Sequence, residues 1–385
     1  MLRLVRFIPN SLRPLAWLAL ALNAADAAMW PLLPRVRDEL ALSGSDLGLV
    51  VATPTLAVLV TAVAVGQLGA RYGARRPLAL AAVLVPVSLV LTAVAGDLVS
   101  LLAARLVFGL AFSAFWTLGP TLASSRLPST RGSATVMTAA GAGWLVGPLS
   151  AGLLEPAVGW RWALVSVAGA CAAAVPLVAA LDDDARAARP VRLRETLEAI
   201  RRSRAAGGAL ATSAFLGAVT GAVGVLVPSL LADNGVGSAG IGLVLAVSSV
   251  VWASAAAWSG ALGVHVTPRL AGVPAAALAL AWALPVLSGS SEVVVAFLVV
   301  AAVCRALLGA FVYPLAASAA DGEAATAALG GLLNLAWASF ALLAPLAAGV
   351  ALEHDASRLA FAVMCVAGAT VAAAMLTGGR RPATA

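Results

Sequence analysis

Lysine is absent from this 385-residue sequence, and charge of either sign is scarce. Charged residues make up 11% of the chain, against the about 25% that covers an ordinary soluble domain. With 62% hydrophobic residues and a mean hydropathy of +1.01, too little polar surface is left to face water. Histidine occurs twice and cysteine three times. Cys171, Cys304 and Cys365 all lie in apolar runs, the pattern of small buried hydrophobes rather than of a disulfide framework or metal site. His265 and His354 fall in predicted loops. No GxxxxGK[ST] run and no nucleophilic triad is present, so neither a cofactor nor enzyme chemistry is expected.

What the chain does have is long apolar runs rich in Ala, Leu and Val. They do not alternate, which excludes a strand barrel, and backbone groups in hydrocarbon must then pair within their own helix. Hydropathy places helices at 13–34, 46–69, 77–96, 98–124, 132–154, 160–181, 207–231, 239–263, 270–289, 293–318, 324–351 and 358–378. The first of these continues past Asp26 to Leu33, so it reads as a membrane helix rather than a cleaved signal. The expected class is an all-α membrane protein with twelve transmembrane helices.

The 24 basic residues are all arginine, and their positions explain the pI near 10.8 without nucleic acid. With the N-terminus inside, eighteen fall on the cytoplasmic side, among them Arg71, Arg75, Arg76 and seven in 182–206. Only Arg35, Arg37, Arg161 and Arg358 fall outside. This bias sets both termini in the cytoplasm, in a multi-pass protein of the cell membrane. The polar stretch 182–206 divides six spans from six, giving bundles at 1–181 and 207–385. Within it Leu193, Leu197 and Ile200 have helical spacing and predict a short surface helix.

The two halves repeat. Pro34, Gly48, Leu49 and Val50 recur as Pro228, Gly242, Leu243 and Val244. Arg105 and Gly109 recur as Arg305 and Gly309, and Pro148, Gly152 and Arg161 recur as Pro345, Gly349 and Arg358. Parallel repeats predict two pseudo-symmetric six-helix bundles, a monomer, and a substrate site where the bundles meet.

Three motifs sit at fixed places in this pattern. Gly66-Gln-Leu-Gly-Ala-Arg-Tyr-Gly-Ala-Arg-Arg76 follows span 2, Arg105-Leu-Val-Phe-Gly109 lies in span 4, and Gly143-Trp-Leu-Val-Gly-Pro-Leu-Ser-Ala-Gly152 lies in span 5. With them the chain resembles the major facilitator superfamily over nearly its whole length, and the span 5 run resembles the motif of that family's drug/proton antiporters. The resemblance implies alternating access. It assigns gating or conformational roles to Gly66, Arg71, Gly73, Arg75, Gly143, Gly147, Pro148 and Gly152. Ala70 departs from it, standing where the family has an Asp that helps latch the inner gate. From the residues themselves, Gly66 and Gly73 read as tight turns. The four-residue spacing of Gly143, Gly147 and Ala151 reads as a seam for another helix.

Three ionisable residues lie well inside spans: Asp26, Arg105 and Arg305. Each costs on the order of 2.5–3.5 kcal/mol there, so each needs a partner or a cavity. Asp26 and Arg105 fall at similar depth and are expected to interact, either as a proton-coupling pair or as a static lock. Thr220 stands at the repeat position of Asp26, so Arg305 has no equivalent acid. It either packs the second half or attracts an anionic substrate. Helical spacing groups Asn23, Asp26 and Trp30 on span 1, Arg105, Phe112 and Trp116 on span 4, and Asn334 and Trp337 on span 11. Leaving Asp26 and Arg105 as the coupling pair, the candidate substrate set is Asn23, Trp30, Phe112, Trp116, Trp252, Arg305, Tyr313, Asn334 and Trp337, or else these are ordinary packing. The functional expectation is proton-coupled export of small organic, drug-like compounds. Its alternatives are an organic-anion carrier anchored by Arg105 and Arg305, and a non-transporting receptor on the same scaffold.

Overall fold

The computed structural model describes residues 10–126, 129–181, 203–261, 266–317 and 323–377. Most of the 182–206 linker, with its expected surface helix, and His265 lie outside the described residues. The helices are α1 (Arg13–Ala28), α2 (Leu33–Glu39), α3 (Gly44–Tyr72), α4 (Arg75–Val94), α5 (Leu98–Arg126), α6 (Ser129–Ala172) and α7 (Ala174–Ala179). After the linker come α8 (Arg204–Asp233), α9 (Ser238–Ala261), α10 (Pro268–Leu287), α11 (Ser291–Ala317), α12 (Glu323–Glu353) and α13 (Ser357–Thr377).

Eleven helical runs among the described residues are long and apolar enough to cross a membrane. One of them, Thr135–Ala179, is 45 residues long. At about 1.5 Å per residue it exceeds two bilayer cores of about 30 Å. It turns a corner at Gly159, whose φ of 78° suits a residue without a Cβ. The crossings therefore number twelve.

Three helix starts carry polar caps outside the apolar runs. Ser43 and Asp46 form a reciprocal capping box at the start of α3. Thr267 Oγ1 accepts from Leu270 N at the start of α10, and Ser203 Oγ from Ala206 N at the start of α8.

The chain divides into two compact units, one of Met1–Arg189 with Gly235–Ser249 and one of Pro190–Asn234 with Val250–Ala385. In the first unit α1 packs on α6, and α4 packs on α5 and α6. In the second α8 packs on α12, and α10 packs on α11 and α13. The same pairing twice over is the pseudo-symmetry of two bundles. In each unit the first helix is the most enclosed: 83% of the α1 span and 78% of the α8 span are buried. Side chains on α1 are therefore held mostly against protein.

Glycines set the tightest seams. A Cβ at Gly143 or Gly147 would run into the α1 backbone at Leu20 O and Ala24 O. In the second unit the seam glycines lie on the other partner: Gly217 and Gly221 of α8 receive Trp337 O and Ala341 O of α12. Gly66 corrects the sequence expectation of a tight turn, because α3 runs unbroken to Tyr72. Gly69 explains why the helix keeps going, since a Cβ there would come within 2.5 Å of Leu118 on α5. Close packing against α5 outweighs the helix-breaking tendency of glycine. Gly73, at φ 83°, does end the helix.

Candidate functional site

The two deep charges of the first unit meet. Arg105 Nη2 donates to Asp26 Oδ1 at 2.8 Å, with side-chain exposures of 4% and 18%. Asp26 stands near the end of α1 just before the 3-10 turn Trp30–Leu32, and Arg105 stands two turns into α5. Two further contacts fix the guanidinium. Its Nε donates to Val50 O of α3 at 3.3 Å, and its Cζ lies 4.9 Å from the Phe108 ring centroid. Gly109 makes the approach of α3 possible: a Cβ there would lie 2.6 Å from Pro54 O. A buried cation thus has a carboxylate, a carbonyl and a ring face around it, which offsets much of its desolvation.

Beside this pair lies a second polar cluster. Trp144 Nε1 of α6 donates to Asn23 Oδ1 at 2.7 Å, and Asn23 Nδ2 donates to Ala19 O. The Trp144 ring meets Trp30 edge-on with centroids 4.8 Å apart. Asn23 and Trp30 are buried at 2% and 6% exposure. Both therefore serve packing between α1 and α6 in this conformation rather than lining open space. Sequence reasoning does not mark Trp144 as a site residue. Its place beside Gly143, whose missing side chain admits α1, is the available signal.

Within the first unit α6 also meets the start of α9. Gly152 and Gly242 pack backbone to backbone, with Gly152 against Ser238 O and Gly242 against Pro148 O. Ser249 Oγ donates to Trp144 O at 3.0 Å. The glycine–proline run of span 5 is therefore a helix-contact surface on two sides, with α1 at Gly143 and Gly147 and with α9 at Pro148 and Gly152.

The α5 aromatics form a ladder. Phe112 stands 5.9 Å from Phe108 and 6.0 Å from Trp116, centroid to centroid. Trp116 Nε1 is buried with no hydrogen-bond partner among the described residues. At the other end of α3, Arg71 lies over the Tyr72 ring, and Arg75 Nη2 donates to Ala179 O at 2.7 Å.

In the second unit Arg305 Nη2 donates to Thr220 Oγ1 at 3.2 Å. This is the repeat image of the Arg105–Asp26 contact, with a hydroxyl in place of the carboxylate. Tyr313 Oη donates to Asn334 Oδ1 at 3.3 Å, and both residues are exposed. Trp337 meets Gly217 through its backbone and is half-buried, as is Trp252. Among the described residues no ring-to-ring contact joins Trp252, Tyr313 and Trp337.

A search of curated proteins returned no match to the chain. Solved structures match its fold at low identity. A crystal structure of a bacterial homologue of the human lysosomal transporter Spinster, inward-facing and unoccupied, aligns with a TM-score of 0.78 at 14% identity, over 96% of each chain. The nucleoside transporter NupG, in a point-mutant form, aligns at 0.77 and 14% over 97% of this chain and 100% of that one. The same Spinster homologue in an inward-facing, occupied form aligns at 0.71 and 13% over 94% of each. These likenesses carry the fold, a twelve-helix membrane architecture seen in transporters. The Major Facilitator Superfamily profile matches residues 16–345, and the chain belongs to that family.

Proposed function

We propose that this chain is a proton-coupled secondary transporter that exports small organic compounds, with Asp26 as the proton carrier and Arg105 as its switch. The observation that carries this reading is the 2.8 Å ion pair on α1 and α5, enclosed by protein yet still 18% open at the carboxylate. An adjacent guanidinium favours the ionised carboxyl, and apolar surroundings favour the protonated one. A conformational change that draws α5 away from α1 would leave Asp26 in poor surroundings for a charge, and it would take up a proton. The reverse change would expel that proton. One proton then moves for each cycle in which the two helices part and rejoin.

The α1–α6 seam supports the same reading. Gly143 and Gly147 let the two backbones touch, and Trp144 fastens Asn23 one turn from Asp26. The position of Asp26 therefore follows that of α6. The export direction rests on the resemblance of Gly143–Gly152 to the span 5 motif of drug/proton antiporters. The cytoplasmic placement of both termini rests on the arginine bias, and the monomeric state on the two repeats within one chain.

A growth-inhibition panel in cells overproducing the wild type, against Asp26→Asn, identifies a transported compound. That compound is then added to inverted membrane vesicles holding a pH gradient reported by a fluorescent amine. Wild type is expected to dissipate the gradient and Asp26→Asn to leave it intact. Full gradient-driven transport by Asp26→Asn would remove Asp26 from the mechanism.

A further inference from the structure

The two units differ in charge at one matched position. In the first, Arg105 is neutralised by Asp26 and further engaged by Val50 O and the Phe108 ring. In the second, Arg305 stands near the middle of α11, half-buried. Its described contact is a single hydrogen bond to Thr220 Oγ1. The Thr220 hydroxyl proton goes to Leu216 O at 2.9 Å, so its oxygen is free to accept but carries no charge to offer. The residue matching Phe108 is Leu308, which has no ring face. Among the described residues the ion pairs are Arg35–Glu155, Arg105–Asp26 and Arg161–Glu39, and none involves Arg305.

A guanidinium has five N–H donors in a fixed fork that matches an oxyanion two bonds at a time. One of the five is engaged here. An uncompensated cation in a membrane-embedded bundle is costly, and an anion that binds it recovers that cost. We infer that Arg305 is the docking point for a carboxylate or phosphate group, and that the ligand of the second unit is an organic anion. Arg105 is excluded from this role in the present conformation, because Asp26 already neutralises its charge. Transport of that anion rests on the reading above; its binding to Arg305 does not.

The test uses the full chain in nanodiscs of neutral phosphatidylcholine, with melting followed by tryptophan fluorescence. The probes are benzoate, phenyl phosphate, benzyl alcohol and benzylamine. The two anions are expected to raise the melting temperature while the alcohol and the amine do not. Arg305→Gln should weaken the anion response roughly tenfold to a hundredfold, the worth of one charge-assisted hydrogen bond. Arg305→Lys should retain much of the response. Thr220→Asp rebuilds the first unit's pair in the second. It should raise the melting temperature without ligand and abolish the anion response, which separates loss of charge from loss of fold.

A second arm replaces part of the neutral lipid with phosphatidylglycerol. Stabilisation of wild type that is absent from Arg305→Gln assigns the anion to a lipid headgroup. A response to soluble anions alone assigns it to a free solute. Equal responses to all four probes, no response in either arm, or an unchanged response in Thr220→Asp would overturn the inference. Proton coupling is read from Asp26→Asn in the vesicle assay and anion binding from Arg305→Gln in nanodiscs, so the two failures are read separately.

Discussion

Trp144 and Asn23 join α6 to α1 through a 2.7 Å hydrogen bond, one helical turn from the Asp26 carboxylate. The same indole stacks edge-on against Trp30, and its own carbonyl accepts from Ser249. This one residue of α6 thus reaches α1, the Trp30–Leu32 turn and α9.

Trp144→Phe keeps an aromatic edge for Trp30 but removes the donor to Asn23. The buried Asn23 Oδ1 is left without its partner, a loss of about 1–3 kcal/mol. A lowered melting temperature in detergent is expected, with Asn23→Leu on the Trp144→Phe background recovering part of it. Equal stability of Trp144→Phe and wild type would mean that water or another donor serves Asn23.

Breaking the ion pair from one side should be worse than removing both partners. Arg105→Gln leaves Asp26 enclosed and uncompensated, at a cost of about 3–5 kcal/mol. The double variant Asp26→Asn, Arg105→Gln is expected to be more stable than Arg105→Gln alone. A double-mutant cycle on chemical unfolding measures the coupling, and simple additivity would show that the two charges act independently.

Repeat-related glycines should answer differently to a methyl group. Gly109→Ala places a Cβ 2.5 Å from Ala57 Cβ and 2.6 Å from Pro54 O, and loss of folded protein is expected. Gly309→Ala meets nothing within 4 Å. It should be neutral or stabilising by up to about 1 kcal/mol from helix propensity. Size-exclusion recovery and melting of the two variants give the comparison.

Arg161 ties a corner of the first unit. It pairs with Glu39 at 2.9 Å and donates to Ala93 O and Ala95 O at the end of α4. Arg161→Gln should release these groups together with the Trp160–Glu39 bond. Faster amide exchange is expected over 93–97 and 36–42, with little change at the Asp26 pair.

Much of this architecture is legible in the sequence because a bilayer admits few alternatives. Apolar runs of span length have to be helices, equal depth in the bilayer brings Asp26 to Arg105, and the repeat puts Thr220 where an acid for Arg305 would stand, though it does not predict the Arg305–Thr220 bond itself. Other features depend on which face of one helix meets which face of another, and periodicity does not carry that. Asn23 and Trp30 share a face with Asp26, which predicts a cavity stripe, yet that face is filled by Trp144. Glycine weakens helices, which predicts a turn at Gly66, yet α3 runs on to Tyr72, with the Leu118 side chain of α5 packed into the space at Gly69. The Gly159 corner falls within the break expected between 154 and 160, and only its positive φ distinguishes a bend from an interrupted helix.

The glycine seams of the two halves are built on different partners. In one bundle the hollows lie on α6 and receive α1, and in the other they lie on α8 and receive α12. A hybrid with 207–228 grafted over 13–34 would set Gly217 and Gly221 against Gly143 and Gly147, hollow facing hollow, with a gap where each native seam interlocks. The two halves share one layout, but they are not interchangeable parts.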